Sequence, residues 1–220
     1  MFVHRHPYPP FIPKSATKLI VGTLPPPRFS QGLIKLGDVE FCYGSRDGLL
    51  WPTLDRIFNL KLLYENTEQA INQRKLFLQD RGIGICDIVE SCERIKIDAT
   101  DLGMQQIVLR DLMGVLDQHT HINELIFTGG NSKNGPEYLF RRHLKGYGKS
   151  LELVTNDIPR IHKFYTNKDQ REITTVSLTA PSGSANRAIG AMEEYKLKKK
   201  LNPSYNTTEF RVEQYRRFFQ

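Results

Sequence analysis

The chain has 220 residues, of which 39% are hydrophobic and 25% are charged, a composition typical of one soluble globular domain. It contains no run of about 18 apolar residues, which excludes a membrane-spanning helix of ordinary length. Lys and Arg outnumber Asp and Glu by 31 to 24, and this excess suits a polyanion such as nucleic acid, although a merely basic soluble protein would carry the same charge.

The amino-terminal stretch and the cysteines set two further expectations. Residues 1–13 carry His and Pro where a signal peptide has an apolar core, so we expect a cytoplasmic, nucleoid-associated protein without a membrane anchor. Cys42, Cys86 and Cys92 form no CxxC pair. We therefore expect no metal site, and thiols that are buried or incidental.

The first half of the chain predicts two strands and three helices. Residues 18–22 (KLIVG) form an apolar run that stops at a Pro-rich turn, which is typical of a buried parallel strand. Residues 51–60 and 67–80 then have sequence patterns typical of helices. Residues 82–87 (GIGICD) predict a second buried strand. Residues 102–118 show apolar positions at helical spacing and predict a further helix.

The second half repeats this alternation. Residues 124–128 (ELIFT) predict a third strand that ends at a Gly-Gly-Asn turn, and Pro136 suits the first turn of a helix over residues 135–144. Residues 174–178 (TTVSL) predict a fourth strand. Two helices are expected to close the chain, over residues 184–201 and 208–219.

Strands that alternate with helices predict an α/β protein in which a parallel sheet is covered on both faces. We therefore expect three α/β/α layers around a four-stranded, mainly parallel central sheet. With no internal repeat or linker, residues 1–220 are expected to form one domain, with a core of about 18–201 and a helical extension over 202–220. Each predicted strand ends in a loop rich in Gly, Pro, Ser, Asn or Asp, and ligands bind at the carboxyl ends of such strands.

Five segments together resemble the uracil-DNA glycosylase superfamily, most closely its hypoxanthine (deoxyinosine) DNA glycosylase branch. They are LIVGTLPPPRFS (19–30), YGSRDGLLWPTL (43–54), GIGICDIVESCER (82–94), ELIFTGGNSK (124–133) and LTAPSGSANRA (178–188). The resemblance implies a DNA repair enzyme that flips a deaminated base, uracil or hypoxanthine, out of DNA and hydrolyses its N-glycosidic bond. It implies no cofactor, DNA containing a deaminated base as the partner, and a monomer.

The resemblance also implies base-binding residues. Tyr43 or Phe41 would be the aromatic platform for the flipped base, although both could simply pack in the core. Asp87 would read the base, since a buried carboxylate is costly unless it is paired or functional; its alternative role is to cap the following turn. The remaining base-binding candidates lie in two loops after strands and are Gly22, Thr23 and Asn131, the last of which could equally be a turn residue.

A second group of residues is expected to contact DNA. Ser182, Ser184, Asn186 and Arg187 lie at the start of the predicted last helix, where backbone amides favour a phosphate. The alternative is that these residues only cap the amino-terminal end of the helix and do not contact DNA. Arg187 could reach a phosphate or remain in solvent.

The catalytic position departs from the family pattern. The usual catalytic side chain lies two residues after the Gly of the first loop, and here that residue is Leu24, which cannot orient water. The deoxyinosine branch uses an Asn elsewhere, where this chain has Gly48 beside Asp47. We take Asp47 as the catalytic candidate, with a turn residue as its alternative role. His162 is a weaker candidate for assisting the leaving group.

Two other functions stay open. One is a nucleic-acid-binding protein of the same fold whose catalysis is lost or altered. The orientation of the Asp47 carboxylate should discriminate between this binding protein and a glycosylase. In an enzyme the carboxylate would point into the pocket, whereas in a binding protein Asp47 would be a turn residue that caps its own loop. The other is a hydrolase of small nucleotides or nucleosides, which predicts a closed pocket without a basic rim.

Overall fold

The computed structural model describes residues 1–98 and 100–220. The strands in these residues are β1 Phe2–Arg5, β2 Lys18–Gly22, β3 Ile83–Asp87, β4 Val89–Arg94, β5 Gln105–Leu109, β6 Glu124–Phe127, β7 Glu152–Thr155, β8 Arg160–Tyr165 and β9 Glu172–Ser177. The α-helices are α1 Pro27–Ser30, α2 Leu50–Phe58, α3 Glu68–Asp80, α4 Leu112–Gln118, α5 Pro136–Lys145, α6 Asn186–Ala191, α7 Glu193–Leu201 and α8 Thr207–Phe219.

The central sheet confirms the α/β prediction and extends it. Its strand order is β3-β2-β6-β9-β8-β7, and the four predicted strands are the contiguous parallel part, β3-β2-β6-β9. The expected strand number of four is wrong, because β8 and β7 continue the sheet in antiparallel fashion. These two strands escape a search for apolar runs since they carry many polar residues, as in RIHKFY.

The predicted helix over residues 102–118 is wrong in its first half. Residues 105–109 form β5, which pairs with β4 in a separate antiparallel sheet of order β1-β4-β5. Ile107 and Leu109 suit a strand as well as a helix, because they are also two residues apart. The helix starts only at α4, where the Asp111 side chain caps it by accepting from the Gly114 N–H at 3.0 Å.

Both faces of the central sheet are buried, so the three-layer prediction is confirmed. Along β2, Leu19 and Val21 pack into the core beneath α4 and α5, whereas Ile20 faces the core beneath α2 and α3. The carboxy-terminal helix α8 belongs to the second of these cores, where Tyr215 is fully buried together with Trp51.

The helix predicted over residues 184–201 is interrupted. A 3₁₀ turn over Gly183–Ala185 leads into α6, and Met192 then adopts an extended conformation that separates α6 from α7. In the residues that the structure describes, no helix is both long enough and apolar enough to cross a membrane.

Candidate functional site

A cavity of about 620 Å³ lies at the carboxyl ends of the parallel strands. The loops that follow β2, β6 and β9 line it together with the loop before α2 and with Asp87 at the end of β3. This is the edge of the sheet at which the loop composition predicts a ligand site. A cavity of this size falls in the range of small-molecule sites, about 300–1,000 Å³.

Tyr43, Asp87 and Thr128 form the floor of the cavity. The Tyr43 hydroxyl and the Thr128 Oγ1 are 2.8 Å apart and hydrogen-bonded. Gly22 lies beneath them, and a Cβ at this position would overlap both the Tyr43 hydroxyl and the Asp87 carboxylate. Glycine is therefore required at the end of β2, since it lets two oxygen-bearing side chains converge over the strand.

His6, from the segment after β1, supports Asp87 from below. The His6 Nδ1 accepts a hydrogen bond from the Tyr8 N–H at 3.0 Å, so in the neutral ring the proton is on Nε2. Nε2 then donates to Asp87 Oδ2 at 2.8 Å. Both side chains are nearly inaccessible to water, at 1% and 6% exposure. Sequence reasoning missed His6, because this contact joins residues 81 positions apart.

Arg28 organises the rim. It makes a bidentate pair with Asp38, in which Nε and Nη2 each donate over 2.8 Å, and it donates to Ser45 Oγ over the same distance. Burial alone would raise the pKa of Asp38, but the hydrogen bonds from Arg28, Arg46 and Lys35 outweigh it and lower the pKa to about 2. Asp38 therefore stays ionised and holds the two rim loops together.

Asp47 lies on this rim with its carboxylate 71% exposed. The carboxylate is 3.5 Å from the Arg28 guanidinium, and the Asp47 N–H is capped by Ser45 Oγ at 3.2 Å. Asp47 thus neither reaches the floor beside Tyr43 and Asp87 nor caps its own turn with its carboxylate. It faces solvent above the cavity, at the Arg28 side.

Asp101 is a second carboxylate at the cavity, and sequence reasoning missed it. Thr23 Oγ1 donates to Asp101 Oδ1 at 2.9 Å, which fixes the carboxylate at the wall. Burial raises the pKa of Asp101 to about 6, against the smaller lowering effect of the Thr23 hydrogen bond. In the residues that the structure describes, no strand ends directly before Asp101, so only the folded chain brings it next to the loop after β2.

The loop after β9 closes the opposite side. Ser182 and Ser184 line the cavity, and their hydroxyl oxygens are 2.9 Å apart. Behind them, the buried Arg211 of α8 donates to Asn186 Oδ1 at 3.0 Å, so Asn186 braces the loop rather than lining the cavity. Arg187 follows it with an exposed side chain.

Three sequence candidates lie elsewhere. Phe41 is a core residue that packs against Phe11 and Trp51. Asn131 is exposed and lines a separate, basic cavity beside α5. His162 is buried in β8, where its Nε2 lies 2.8 Å from Arg141 Nη2. In contrast, Thr23 and Leu24 both line the main cavity.

The cysteines and acidic residues offer little to a metal ion. In residues 1–98 and 100–220, no group of three or more His, Cys, Asp or Glu side chains has an arrangement that could hold one. Burial raises the pKa of the Cys42 and Cys86 thiols, so both stay protonated and are poor nucleophiles.

Comparison with known proteins adds evidence for the fold. No protein-family model and no curated protein matches the chain. The chain is similar to a solution NMR structure described as a "putative uracil DNA glycosylase" from Methanosarcina acetivorans, with a TM-score of 0.54 and 15% identity. The match covers 96% of this chain and 99% of the other. The chain therefore has a uracil DNA glycosylase-like fold.

Proposed function

We propose that this protein is a monofunctional DNA glycosylase that removes a deaminated base, uracil or hypoxanthine, from DNA. The observation that carries the proposal is the cavity at the carboxyl edge of a glycosylase-like sheet, which combines the aromatic Tyr43 with carboxylates and hydroxyls. A flipped base needs this combination, since its faces stack on an aromatic ring and its edge is read by polar groups.

In this proposal Tyr43 is the platform and Asp87 reads the base. Tyr43 is held at the floor by its hydrogen bond to Thr128, and Asp87 by its hydrogen bond from His6. Both groups are fixed before a base enters, which lowers the entropic cost of binding. Gly22 lets the Tyr43 hydroxyl and the Asp87 carboxylate converge at the end of β2, and Thr23 lines the cavity.

A carboxylate near the sugar would assist cleavage of the N-glycosidic bond, because the sugar develops positive charge as the bond breaks. Asp47 is our first candidate for stabilising this charge and orienting water, since it lies on the rim, where the sugar of a flipped nucleotide would remain. Asp101 is the second candidate, since it is half-buried in the wall and held by Thr23. Leu24, at the usual catalytic position, can serve neither purpose.

DNA itself would bind across the mouth of the cavity. Ser182 and Ser184 present hydroxyls there, the exposed Arg187 lies next to them, and Asn186 holds the loop in shape. Lys133 adds a cation to the rim. This basic rim, together with the net charge of +7, favours a polyanionic substrate over a small nucleoside and fits association with the nucleoid. We propose that the protein acts as a monomer.

The exposure of Asp47 favours a second candidate function, a nucleic-acid-binding protein whose catalysis is lost or altered. A carboxylate that is paired with Arg28 and faces solvent is poorly placed to stabilise charge in a dry site. Under this alternative the cavity would still hold a flipped base, and the rim would still bind phosphates.

A strand-cleavage assay separates the two functions. Labelled oligonucleotides that carry uracil, hypoxanthine or xanthine, single- and double-stranded, are incubated with the protein and treated with alkali, which cuts at abasic sites. Wild-type activity that disappears in Asp47→Ala supports the enzyme and its first catalytic candidate. Activity that survives Asp47→Ala but not Asp101→Asn transfers the role to Asp101. Salt-sensitive DNA binding without any cleavage supports the binding protein.

A further inference from the structure

We propose that the separate cavity beside α5, here called the α5 cavity, is a second nucleotide site that holds an unpaired nucleotide of the DNA strand next to the main cavity. The proposal deepens the proposed function, because it takes DNA as the ligand. The α5 cavity has a volume of about 380 Å³ and combines an aromatic ring with a cluster of cations. The excision chemistry assigned to the main cavity uses none of these residues.

The α5 residues that line this cavity lie on one face of the helix. Tyr138, Arg141, Arg142 and Lys145 occupy positions i, i+3, i+4 and i+7, which are neighbours on a helix surface. The buried Leu151, from the segment after α5, adds an apolar surface to the same cavity. The cavity therefore has an apolar part and a cationic part.

Three of its four cations lack a compensating negative charge. Arg141 is neutralised by the buried Glu137, because its Nε and Nη2 donate to Glu137 Oε1 over 2.9 and 2.8 Å. In residues 1–98 and 100–220, the cations Arg142, Lys145 and Lys149 pair with no carboxylate. Uncompensated cations around one cavity repel each other, and a bound polyanion would remove this repulsion.

The helix dipole does not account for the whole cluster. Arg142 and Lys145 lie in the last turn of α5, where cations interact favourably with the dipole. Lys149, however, lies beyond the end of the helix. Its Nζ donates to the Thr166 carbonyl at 3.3 Å, which positions the ammonium group without cancelling its charge. The cluster thus extends past the region that a helix end would stabilise.

The Tyr138 ring identifies the class of anion. Tyr138 is half-buried, since it packs against the core beneath α4 and α5 and also lines the α5 cavity. Aromatic rings beside cations bind single-stranded nucleic acid, because bases stack on the rings while the cations follow the phosphates. A cavity of about 380 Å³ admits a nucleotide but no duplex, so a base that reaches Tyr138 has to be unpaired.

A single loop separates the α5 cavity from the main cavity. Asn131 lines the α5 cavity, and the next two residues, Ser132 and Lys133, line the main cavity. Because consecutive Cα atoms are about 3.8 Å apart, the two cavities lie on either side of this short loop. A DNA strand with one nucleotide in the main cavity has only to cross the loop to place a flanking nucleotide beside Tyr138.

The first test removes the charges and measures DNA binding without excision. Fluorescence anisotropy follows an undamaged, labelled oligothymidylate of ten nucleotides bound to the full chain. The double variant Arg142→Gln with Lys145→Gln should bind it about 10-fold more weakly at low salt. The slope of log affinity against log salt concentration should fall by about 1.4, since each phosphate contact on a single strand contributes about 0.7.

The matched control is the double variant Lys200→Gln with Arg216→Gln. It removes one lysine and one arginine charge, and both residues are exposed cations on α7 and α8 that line neither cavity. Its affinity and slope should stay close to those of wild type. An equal fall in both double variants would overturn the site, because binding would then depend on net charge alone.

The second test removes the ring. Tyr138→Leu keeps an apolar side chain against the core and loses the stacking face, so it should bind oligothymidylate about 10-fold more weakly with an unchanged salt slope. An abasic oligomer of the same length has no base to stack, and a duplex has no free base. Wild type and Tyr138→Leu should therefore bind each of these two probes equally.

Unchanged oligothymidylate binding in Tyr138→Leu, or an equal loss on the abasic oligomer or the duplex, would overturn the nucleotide site. These results are independent of the test of the proposed function, because the probes carry no damaged base. The expected losses without any excision would keep the α5 site and reject the glycosylase. Excision together with wild-type binding by both the charge variant and the ring variant would do the reverse.

Discussion

Gly48 forms an isolated antiparallel β-bridge with Ser182. Next to it, the Leu49 N–H donates to the Pro181 carbonyl at 2.8 Å. The bridge joins the loop that carries Tyr43 and Asp47 to the loop after β9, so the Tyr43 side and the Ser182 side of the cavity are held at a fixed separation. The geometry of the cavity therefore depends on backbone contacts at Gly48 and Leu49.

We expect Gly48→Val to lower the excision rate more than the stability. A Cβ at position 48 would lie 3.0 Å from the Ser45 carbonyl oxygen and 3.3 Å from that of Tyr43, so the loop must shift away from its partner. The rate should fall at least about 10-fold, with a loss of about 1 kcal/mol in the free energy of unfolding. Gly183→Ala, in the facing loop, is the matched control, because its Cβ would meet nothing within 4 Å. Equal rates for both variants would contradict a structural role for the bridge.

Tyr43 and Phe41 should respond in opposite ways to substitution. Tyr43→Phe keeps the ring and loses only the hydrogen bond to Thr128, so excision should stay within about 10-fold of wild type. Tyr43→Ala removes the platform and should weaken binding of the flipped base by about 10- to 100-fold. Single-turnover excision and base binding measure both effects.

The control for Tyr43 is Phe41→Leu. Because Phe41 packs against Phe11 and Trp51 in the core, this variant should lose about 1–2 kcal/mol of stability but keep its rate per folded molecule. If Tyr43→Phe and Tyr43→Ala fall equally, the hydroxyl and not the ring is the functional group.

The sequence predicts the parts of the fold that depend on local apolar runs. β2, β3, β6 and β9 are fully or largely buried, so each is a short hydrophobic segment bounded by turn residues. β7 is the edge strand and has no buried residue, and in the neighbouring β8 buried residues alternate with half-buried ones, so neither strand forms an apolar run. The sequence pattern predicts a helix over residues 105–109 where the structure has a strand, because apolar positions two residues apart fit both the helical and the strand spacing.

The site divides in the same way. Tyr43, Asp87 and Ser182 can be proposed from local motifs, since Asp87 ends a predicted strand and the other two lie in loops beside predicted elements. His6 and Asp101 do not, because their contacts with Asp87 and Thr23 span 81 and 78 residues and depend on how the segment after β1 and a 3₁₀ turn over Asp101–Gly103 pack against the sheet. Phe41 is excluded from the cavity only by side-chain packing, which a two-residue spacing cannot reveal.

Asp101 should make stability depend on pH. Because the pKa of the folded carboxyl is raised to about 6 from an ordinary 3.8, its favourable contribution is complete below about pH 4 and is lost as the pH rises through 6. Asp101→Asn should therefore gain about 1–3 kcal/mol relative to wild type between pH 4 and pH 8. Thermal unfolding across this range measures the difference.

Asp47→Asn is the matched control for Asp101→Asn, because it makes the same chemical change at an exposed carboxylate of the same cavity. If Asp101 also assists cleavage, the wild-type excision rate should rise as the pH passes 6, and the Asp101→Asn rate should be low and flat. A pH dependence of stability that is the same in wild type and Asp101→Asn would show that this carboxyl is not the titrating group.

Arg187 should contribute one phosphate contact. Arg187→Ala is expected to weaken DNA binding to a similar extent for all sequences and to lower the slope of log affinity against log salt concentration by about 1. Lys168→Ala is the matched control, because Lys168 is an exposed cation in the β8–β9 turn, at the opposite edge of the central sheet. The two variants change the net charge equally, so a fall confined to Arg187→Ala would assign the loss to the loop after β9. An equal fall in both would mean that DNA binding responds to total charge, and it would remove the reason for orienting the duplex across this loop.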